Sequence, residues 1–309
     1  MNESLQSGTL LSCVGGLYTV RSDGGALLPC RARGAFRHAR ISPLPGDRVD
    51  VLASDAGEFA LDAVHPRKNA LIRPPLANLD MLLVVIAAAQ PAPSLLIADK
   101  LITIAEFHHI EPVSVLTKAE LDRDFASRTA DAYRRCGFSA HVVCSMTGEG
   151  VAALREEVLA RFGQGVSAAA GVSGAGKSTL LNAMFALRQE TGALSDKIAR
   201  GKNTTRRAEL FPLDTLCGDA SLRGFFADTP GFSLLDFERF NFYGRDDLPY
   251  VFREFAPYLG RCRYTKCTHT KEDGCAVLDA VRVGDIPAFR HESYLALYAD
   301  LKNKREWNS

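Results

Sequence analysis

The hydrophobic pattern of the first 70 residues predicts short β-strands. Apolar and polar residues alternate in short runs, and turn residues such as Gly15-Gly16 separate the runs. We expect strands at residues 9–14, 17–21 and 48–52. Several short strands within so few residues are typical of a small barrel, so residues 1–70 are predicted to form a β-barrel domain.

Between residues 71 and 240, patterns of buried strands alternate with patterns of helices. The continuous apolar run 81–88 is typical of a strand covered on both faces. Residues 94–109 have apolar positions at helical spacing. Further strands are predicted at 112–116, 141–144 and 166–172, and further helices at 125–136, 151–162 and 177–187. This alternation predicts an α/β domain with a parallel sheet and crossover helices.

Residues 241–309 form a third region with a different pattern. Three of the eight cysteines fall between residues 262 and 275, and a final helix is predicted at 288–305. The apolar stripe of that helix consists of Tyr294, Leu297, Tyr298 and Leu301. We therefore expect a compact α-helical module built around the cysteine cluster.

Composition and charge limit the classes of function. The 309 residues are 47% hydrophobic and 24% charged, which excludes wholesale disorder and supports more than one core. The formal net charge of +1 excludes a uniformly basic surface, so contact with nucleic acid must come from local patches. One candidate patch lies in the barrel, where a single acid, Asp47, opposes six basic residues: Arg31, Arg33, Arg37, His38, Arg40 and Arg48. This patch is either a solvated face or a contact with an RNA backbone.

The sequence contains no candidate membrane span or export signal. Its longest apolar run has nine residues, whereas crossing a bilayer takes about 20. No basic segment followed by an apolar run is found near the N-terminus. We expect a cytoplasmic monomer with no membrane partner, whose cysteines stay reduced.

The strongest motif is a G-x-x-x-x-G-K-S phosphate loop between a predicted strand and a predicted helix. Its glycines let backbone N–H groups turn toward a polyanion, and the helix N-terminus adds partial positive charge. Lys177 is expected to reach the β- and γ-phosphates, and Ser178 to bind Mg²⁺. The predicted nucleotide-binding residues of this loop are Gly171, Val172, Ser173, Gly174, Ala175, Gly176, Lys177, Ser178 and Thr179. A glycine-rich turn without a ligand is the alternative.

Two later segments complete a catalytic set. Thr204 and Thr205 lie in a basic loop, where a threonine hydroxyl can join the Mg²⁺ shell. Asp228 begins an Asp-x-x-Gly sequence at the end of a predicted strand, where its carboxylate can hold Mg²⁺ through water and the Gly231 N–H can sense the γ-phosphate. We expect the catalytic residues to be Lys177, Thr205, Asp228 and Gly231, with Ser178, Thr205 and Asp228 at the magnesium.

The loops that read the base precede the phosphate loop in the chain. Thr117-Lys118-Ala119-Glu120 follows one predicted strand, and Ser145 lies in the Cys144–Gly148 loop after the next. These loops are imperfect forms of the Asn-Lys-x-Asp and Ser-Ala-x motifs of GTPases. A site at the carboxyl ends of parallel strands depends on position in space and tolerates this permuted order.

These features resemble the circularly permuted, small-subunit-dependent GTPase A family (RsgA) over nearly the whole chain. The permuted motif order is the most specific feature of the resemblance. Further similarities are Tyr18, the 31–34 stretch, Gly46-Asp47-Arg48-Val49, Arg73-Pro74 and Ala77-Asn78-Leu79-Asp80. The resemblance implies an OB barrel, a GTPase domain that binds GTP or GDP with Mg²⁺, and a zinc module. It also implies a late role in small ribosomal subunit maturation, with contact to rRNA and hydrolysis stimulated by the subunit.

Three positions depart from the family pattern. Glu120 stands where an aspartate usually accepts from guanine N1–H and N2–H₂, so we expect the preference for guanine to be kept but weakened. Asn203 precedes the two threonines where the family often has His. Phe232 follows the Asp-x-x-Gly segment, where many GTPases carry the Gln that orients water. Intrinsic turnover is therefore expected to be slow, and the subunit is expected to complete the site.

The cysteine cluster has the composition of a zinc site. Cys262, Cys267, His269 and Cys275 supply three thiolates and one imidazole within 14 residues. Four protein ligands close a tetrahedral shell, which predicts a single structural Zn²⁺. Buried or redox-active cysteines are the alternative, and the other five cysteines are expected to be small core residues.

The final helix carries Arg290, His291, Lys302, Lys304 and Arg305, expected on a solvated face or at an rRNA contact. Two rival functions remain for the chain: a P-loop ATPase or small-molecule kinase, and an RNA-binding scaffold with a vestigial nucleotide site. The base loops argue against the first, and the intact Lys177, Ser178 and Asp228 argue against the second. We also expect ordering of the Asp228 loop by the γ-phosphate to move the barrel and the zinc module.

Overall fold

The computed structural model describes residues 4–32, 42–53, 58–72, 74–185, 208–228 and 243–306. Contacts divide the chain into two compact units. The first comprises residues 1–81, 157–169 and 185–232, and the second comprises residues 82–156, 170–184 and 233–309. Among the described residues, no helix is long and apolar enough to cross a membrane.

The first unit begins with a closed five-stranded barrel. Its strands are β1 (Ser4–Val14), β2 (Leu17–Ser22), β3 (Leu27–Ala32), β4 (Arg48–Ala53) and β5 (Phe59–Val64). They close in the order β1-β2-β3-β5-β4, and only the β3–β5 pair is parallel. Alternate side chains point inward, so Leu10, Val20 and Val49 are buried in the core. The predicted barrel is confirmed, and β3 and β5 add to the three strands that the pattern indicated.

The rest of the first unit contains a small ribbon and three strands of a larger sheet. The ribbon pairs β6 (Ala70–Leu71) with β7 (Leu76–Ala77). The three strands of the larger sheet are β11 (Val166–Ala170), β12 (Glu209–Pro212) and β13 (Phe225–Asp228), and the short helix α5 (Leu213–Cys217) lies between β12 and β13. β11 pairs with β13 in parallel, whereas β12 pairs with β13 antiparallel. The connection from β12 to β13 contains the short helix α5 and a turn.

The second unit continues the alternation of strands and helices. Its elements are β8 (Leu79–Ala87, which begins in the first unit), α1 (Leu95–Phe107), β9 (Glu111–Thr117), α2 (Arg123–Arg135), β10 (Ser139–Val142), α3 (Val151–Phe162, which ends in the first unit) and α4 (Lys177–Phe185). The six strands β8 to β13 have the order β10-β9-β8-β11-β13-β12. The parallel sheet is confirmed, and β12 is an antiparallel edge strand that the pattern did not indicate.

The C-terminal part of the second unit is a helical module with its own core. Two 3₁₀-helices at Leu248–Val251 and Arg253–Phe255 precede α6 (Ala276–Val283) and α7 (Ala288–Glu306). Phe252, Phe255 and Tyr294 are fully buried there, with ring centroids 5.0 to 5.3 Å apart. The predicted final helix and its apolar stripe agree with this packing.

Arg290 and His291 on α7 are buried, so the prediction that they lie on a solvated face or contact rRNA is wrong for both residues. Arg290 is 0% exposed and donates to Asp99 on α1 at 2.5 Å and to Glu254 at 2.5 Å. His291 donates from Nε2 to the carbonyl of His269 at 2.8 Å. Both side chains point inward because their hydrogen-bond acceptors are buried. The number of charged residues in the sequence does not show this. Lys302 is exposed, whereas the side chains of Lys304 and Arg305 lie outside those described.

Candidate functional site

The phosphate loop connects β11 to α4 with a strained backbone. Gly174 and Gly176 have φ angles of 78° and 91°, and Gly171 has 152°, which favour glycine. A Cβ added at Gly171 would lie 2.3 Å from the carbonyl oxygen of Val85, so only glycine allows this approach to β8. The loop therefore depends on its glycines for both its turn and its contact with the sheet.

Lys177 folds back across the loop that it follows. Its Nζ donates to the carbonyl oxygens of Gly171 at 2.8 Å and Val172 at 2.9 Å. Burial lowers the pKa of Lys177. A phosphate group in the loop would offer this ammonium charged acceptors in place of the two carbonyl oxygens. Ser178 follows at the start of α4 with a half-buried side chain, and Thr179 is exposed.

The first base loop is bound directly to the phosphate loop. Thr117 is 1% exposed, and its Oγ1 donates to the carbonyl oxygen of Ala175 at 2.6 Å. The same hydroxyl lies 3.3 Å from the carbonyl oxygen of Ile86. The structure thus brings together two segments that are 58 residues apart in sequence.

Lys118 adds a second connection on this side of the site. It has a φ of 55°, and its Nζ donates to the carbonyl oxygen of Gln90. The next residue, Pro91, approaches the phosphate loop, since its Cδ would lie 3.5 Å from a Cβ at Gly174. Gln90 and Pro91 lie in a loop that the sequence patterns did not single out.

The remaining predicted base-reading residues are positioned to receive a polar ligand. Ala119 is buried and Glu120 is exposed, so the carboxylate is free to turn toward a bound base. Ser145 Oγ is buried and has no hydrogen-bond partner among the described residues. A buried hydroxyl without a partner is costly unless a ligand or water supplies one.

An ion pair joins the two base loops and was missed by the sequence patterns. Arg123, at the start of α2, donates through NH1 and NH2 to the two carboxylate oxygens of Glu149 at 2.6 and 2.7 Å. The hydrogen bonds from Arg123 lower the pKa of Glu149, and the side chains of the pair are 58% and 53% exposed. The sequence does place a basic residue after one base loop and an acidic residue after the other. Residues of opposite charge are so common at protein surfaces that this did not indicate a pair.

Part of the predicted catalytic set lies outside the described residues. Thr204, Thr205, Gly231, Asn203 and Phe232 belong to this part of the chain. Asp228 ends β13, as expected, but its side chain is not described. The hydroxyl and carboxylate oxygens of the predicted set are ligands of the kind that Mg²⁺ prefers.

The four predicted zinc ligands converge in the C-terminal module. The thiol and imidazole atoms of Cys262, Cys267, His269 and Cys275 all lie within 4.8 Å of one another. The Cys262 Sγ to Cys275 Sγ distance is 3.8 Å, and His269 Nδ1 lies 3.6 and 3.4 Å from these two sulfurs. Tetrahedral Zn²⁺ with ordinary bond lengths needs separations of about 3.8 Å between sulfurs and about 3.5 Å between sulfur and nitrogen. The cluster therefore fits zinc.

The backbone around the cluster is held by neighbouring polar groups. Glu272 accepts from the N–H groups of Thr268, Thr270 and Lys271 at 2.9 to 3.1 Å. Burial raises the pKa of the Cys267 thiol to about 12, so zinc binding must displace its proton. A metal bound here would therefore act on a loop that hydrogen bonds already order.

The basic patch of the barrel is only partly described. Arg31 is exposed, whereas Arg33, Arg37, His38 and Arg40 lie outside the described residues. Asp47, the one acid among these basic residues in the sequence, does not lie at the surface. It is 0% exposed and accepts from the Arg67 guanidinium at 2.6 and 2.7 Å, while Arg48 pairs with Asp23. Opposing charges along a sequence do not reveal which of them are buried.

Comparison with protein-family models gives two matches. One model, described as RsgA GTPase, matches residues 64–238, and another, described as RsgA N-terminal domain, matches residues 7–59. Together they span the barrel and the parallel-sheet region.

Relatives are similar over nearly the full chain. A protein of Moorella thermoacetica named small ribosomal subunit biogenesis GTPase RsgA is 39% identical over 295 residues, 95% of this chain and 97% of its own length. A protein of the same name from Caldanaerobacter subterraneus subsp. tengcongensis is 36% identical over 301 residues, 97% of each chain.

Two solved structures have a similar fold. The crystal structure of YjeQ from Thermotoga maritima has a TM-score of 0.79 at 29% identity, covering 96% of this chain and 99% of its own. The crystal structure of YloQ, described as a circularly permuted GTPase, has a TM-score of 0.77 at 28% identity, covering 97% of this chain and 96% of its own.

Proposed function

Because the chain belongs to the RsgA GTPase family, it is a GTP hydrolase of small ribosomal subunit biogenesis, and we propose that the subunit stimulates its activity in a late maturation step. The observation that supports the GTPase site itself is the hydrogen bond between Thr117 and the phosphate loop at Ala175. It joins a base-reading loop to a phosphate-binding loop that follows it in sequence. A GTPase site in permuted order requires this arrangement.

The residues of the site have distinct proposed roles. Backbone N–H groups of 171–176 and the ammonium of Lys177 hold the phosphates. Glu120 accepts from the guanine edge, the stem of Lys118 lies along the base, and Ser145 supplies a further polar contact. Bound Mg²⁺, held by Ser178 with Thr205 and Asp228, would neutralise charge on the phosphates. The Gly231 N–H reports whether a γ-phosphate is present.

We infer the need for an activator from position 232, which lacks a side chain able to orient the attacking water. Phe232 has no group that can orient an attacking water. A well-placed water-orienting residue or arginine contributes orders of magnitude to GTP hydrolysis. We infer slow turnover by the protein alone and completion of the site by the small subunit and its rRNA. A protein with this partner acts in the cytoplasm, and we propose that it acts as a monomer.

The test is phosphate release from GTP with and without purified small ribosomal subunits, with ATP as the nucleotide control. Stimulation that requires both GTP and the subunit is the expected result. Lys177→Ala, which removes the ammonium at the phosphates, should abolish it, whereas Arg282→Ala on the exposed side of α6 should not. Equal use of ATP would favour the ATPase, and no turnover with or without subunits would favour the RNA-binding scaffold.

A further inference from the structure

The loop between the first two zinc-ligand cysteines presents an aromatic ring at the surface. Tyr264 is 49% exposed, although a tyrosine usually buries most of its ring. The guanidinium carbon of Arg263 lies 5.7 Å from the centre of this ring. One face of the ring is therefore close to a planar cation, and the side chain remains open to solvent.

Cations outnumber acids in the segment that carries this ring. The exposed basic residues of the segment are Arg261, Arg263, Lys266 and Lys271. Among the described residues, no salt bridge involves either lysine. Asp273 lies 3.4 Å from Arg263 but is itself 87% exposed, and Glu272 is already occupied by the N–H groups of its own loop. Residues 261–273 thus carry four cationic side chains against the two carboxylates of Glu272 and Asp273, a net charge of +2, whereas the whole chain has a net charge of only +1.

The zinc-ligand loop holds these groups in place before any partner binds. Arg263 N–H donates to the carbonyl oxygen of Gly274 at 2.9 Å, and Cys267 N–H donates to that of Tyr264 at 3.2 Å. Cys262 and Cys267, which flank Tyr264, both belong to the four-ligand cluster. A preorganised ring loses less conformational entropy on binding than one on a loose loop.

We propose that Arg261, Arg263, Tyr264, Lys266 and Lys271, here called the knuckle surface, bind single-stranded RNA by stacking an unpaired base on Tyr264. The lysines and arginines contact the flanking phosphates. An exposed ring among cations is the combination by which proteins bind single strands, because every base has a π-face and every nucleotide a phosphate. The inference deepens the proposed function, since it assigns the rRNA contact of the C-terminal module to an unpaired segment.

A protein partner fits the knuckle surface less well. Protein interfaces have an apolar centre that is depleted of charge. Here the exposed neighbours of Tyr264 are Arg263 and Thr265, and no exposed large aliphatic side chain is found among the described residues 261–275. The knuckle surface therefore lacks the apolar floor that a protein segment would need.

The test uses the full-length, zinc-loaded protein and a fluorescently labelled 12-nucleotide oligoadenylate, with binding measured by anisotropy. Stacking on one ring is worth about tenfold or more in affinity, so Tyr264→Ala should weaken binding about tenfold. Tyr264→Phe keeps the ring and should bind within about twofold of the parent. Tyr264→Leu keeps apolar bulk without the π-face and should weaken binding as the alanine variant does.

Tyr250 provides a matched control in the same module. It is 75% exposed but has Asp246, Asp247 and Glu254 as sequence neighbours, so Tyr250→Ala should leave binding unchanged. Replacing Lys266 and Lys271 with glutamine should lower the slope of log Kd against log salt by about 1.4, since each phosphate contact contributes about 0.7 for a single strand. Zinc content and circular dichroism of each variant verify that the module is folded.

Several outcomes would overturn the proposal. Equal binding by Tyr264→Ala and the parent would exclude stacking, and equal affinity for a duplex would show that only phosphates are contacted. Preference for an acidic peptide such as oligoglutamate would assign the knuckle surface to a protein partner. GTP hydrolysis with subunits is measured on the same samples, so loss of stimulation together with intact oligoadenylate binding would contradict the proposed function alone.

Discussion

At the scale of single residues, the hydroxyl of Thr117 connects the first base loop to the phosphate loop. Thr117 is buried between the sheet and the phosphate loop: its Oγ1 donates to the carbonyl oxygen of Ala175 at 2.6 Å and lies 3.3 Å from that of Ile86. The amide of the asparagine that GTPases commonly carry at this position is larger and makes more hydrogen bonds. The threonine therefore holds the loop with a smaller group, and loss of its hydroxyl should lower the affinity for the nucleotide.

Thr117→Val keeps the shape of the side chain and removes the hydroxyl. The carbonyl oxygen of Ala175 then loses its donor, which costs about 1 kcal/mol and should weaken GDP binding about fivefold. Thr117→Ser keeps the hydroxyl and serves as the control. Titration with a fluorescent GDP analogue measures both variants, and equal affinity for the two would mean that the hydrogen bond does not support the site.

Glu120 is the second residue whose replacement tests the site. Its carboxylate is one methylene longer than the aspartate of the family pattern, and it is exposed at the end of its loop. We expect Glu120→Asp to raise the ratio of GTP to ATP affinity about tenfold, the worth of one better-aligned charge-assisted hydrogen bond. Competition binding with the two nucleotides measures the ratio. A parent protein that already binds GTP and ATP equally would refute the role of Glu120 in reading guanine.

Arg290 illustrates a residue whose sequence position misleads. It is fully buried between Asp99 and Glu254, with 2.5 Å contacts to both, and its guanidinium carbon lies 4.7 Å from the Phe252 ring centre. Because removing one partner leaves buried charges uncompensated, Arg290→Leu should lower the free energy of unfolding by about 3–5 kcal/mol.

Urea unfolding followed by circular dichroism measures this effect. The control is Arg282→Ala, since Arg282 forms an ion pair with Asp279 in which the side chains are 66% and 56% exposed. Exposed pairs contribute little, so a change of less than about 0.5 kcal/mol is expected there. Similar effects of the two substitutions would show that the buried network is not a major source of stability.

At the scale of elements, the C-terminal module combines a small hydrophobic core with the cluster of three cysteines and one histidine. Its buried aromatic residues Phe252, Phe255 and Tyr294 pack beside His269, whose ring centroid lies 6.2 Å from that of Phe255. Aromatic packing and metal binding thus support the same short segment. Neither the two short 3₁₀-helices nor α6 has enough length to be stable alone.

Removal of zinc should therefore destabilise residues 243–306 selectively. Structural zinc contributes about 10–16 kcal/mol of apparent free energy in small modules, far more than the net stability of most domains. Chelation should increase hydrogen exchange in this module and leave the barrel strands protected.

The chain should bind one zinc per molecule, measured by elemental analysis. Cys262→Ser should lose the metal, whereas Cys217→Ser, a half-buried cysteine outside the cluster, should keep it. Zinc content near zero in the parent protein, or unchanged exchange after chelation, would contradict this assignment.

At the scale of the whole molecule, an ion pair within the first unit connects the barrel to the GTPase sheet. Arg21 on β2 donates to Asp214 on α5 at 2.5 Å, and the side chains are only 20% and 17% exposed. Asp214 follows β12, which comes directly after the segment that carries Thr204 and Thr205. The barrel is thus attached near the end of the segment expected to sense magnesium and the γ-phosphate.

A double-mutant cycle on Arg21→Ala and Asp214→Ala should give a coupling energy of about 1 kcal/mol in urea unfolding, because the pair is largely shielded from water. The matched control is the Arg48–Asp23 pair, which lies within the barrel and has side chains that are 41% and 60% exposed. Its coupling should stay below about 0.5 kcal/mol. Equal coupling in the two cycles would mean that the Arg21 pair is no special link between barrel and sheet.

The sequence alone determined the barrel, the alternation of strands and helices, the phosphate loop and the zinc ligand set. These features follow from local rules: hydrophobic period, turn residues, a motif whose glycines have a steric reason, and three cysteines with one histidine within 14 residues. The boundaries 1–70, 71–240 and 241–309 stay predictions.

Tertiary structure alone decided which partners meet. The edge strand β12, the contact of Thr117 with Ala175, the Arg123–Glu149 pair and the burial of Arg290 and Asp47 join residues that are distant in sequence or whose charge suggested exposure. Local sequence patterns predict the secondary structure of each segment but give no distances between segments. The burial of a charged residue depends on a partner that another segment supplies, and only the folded chain brings the two together.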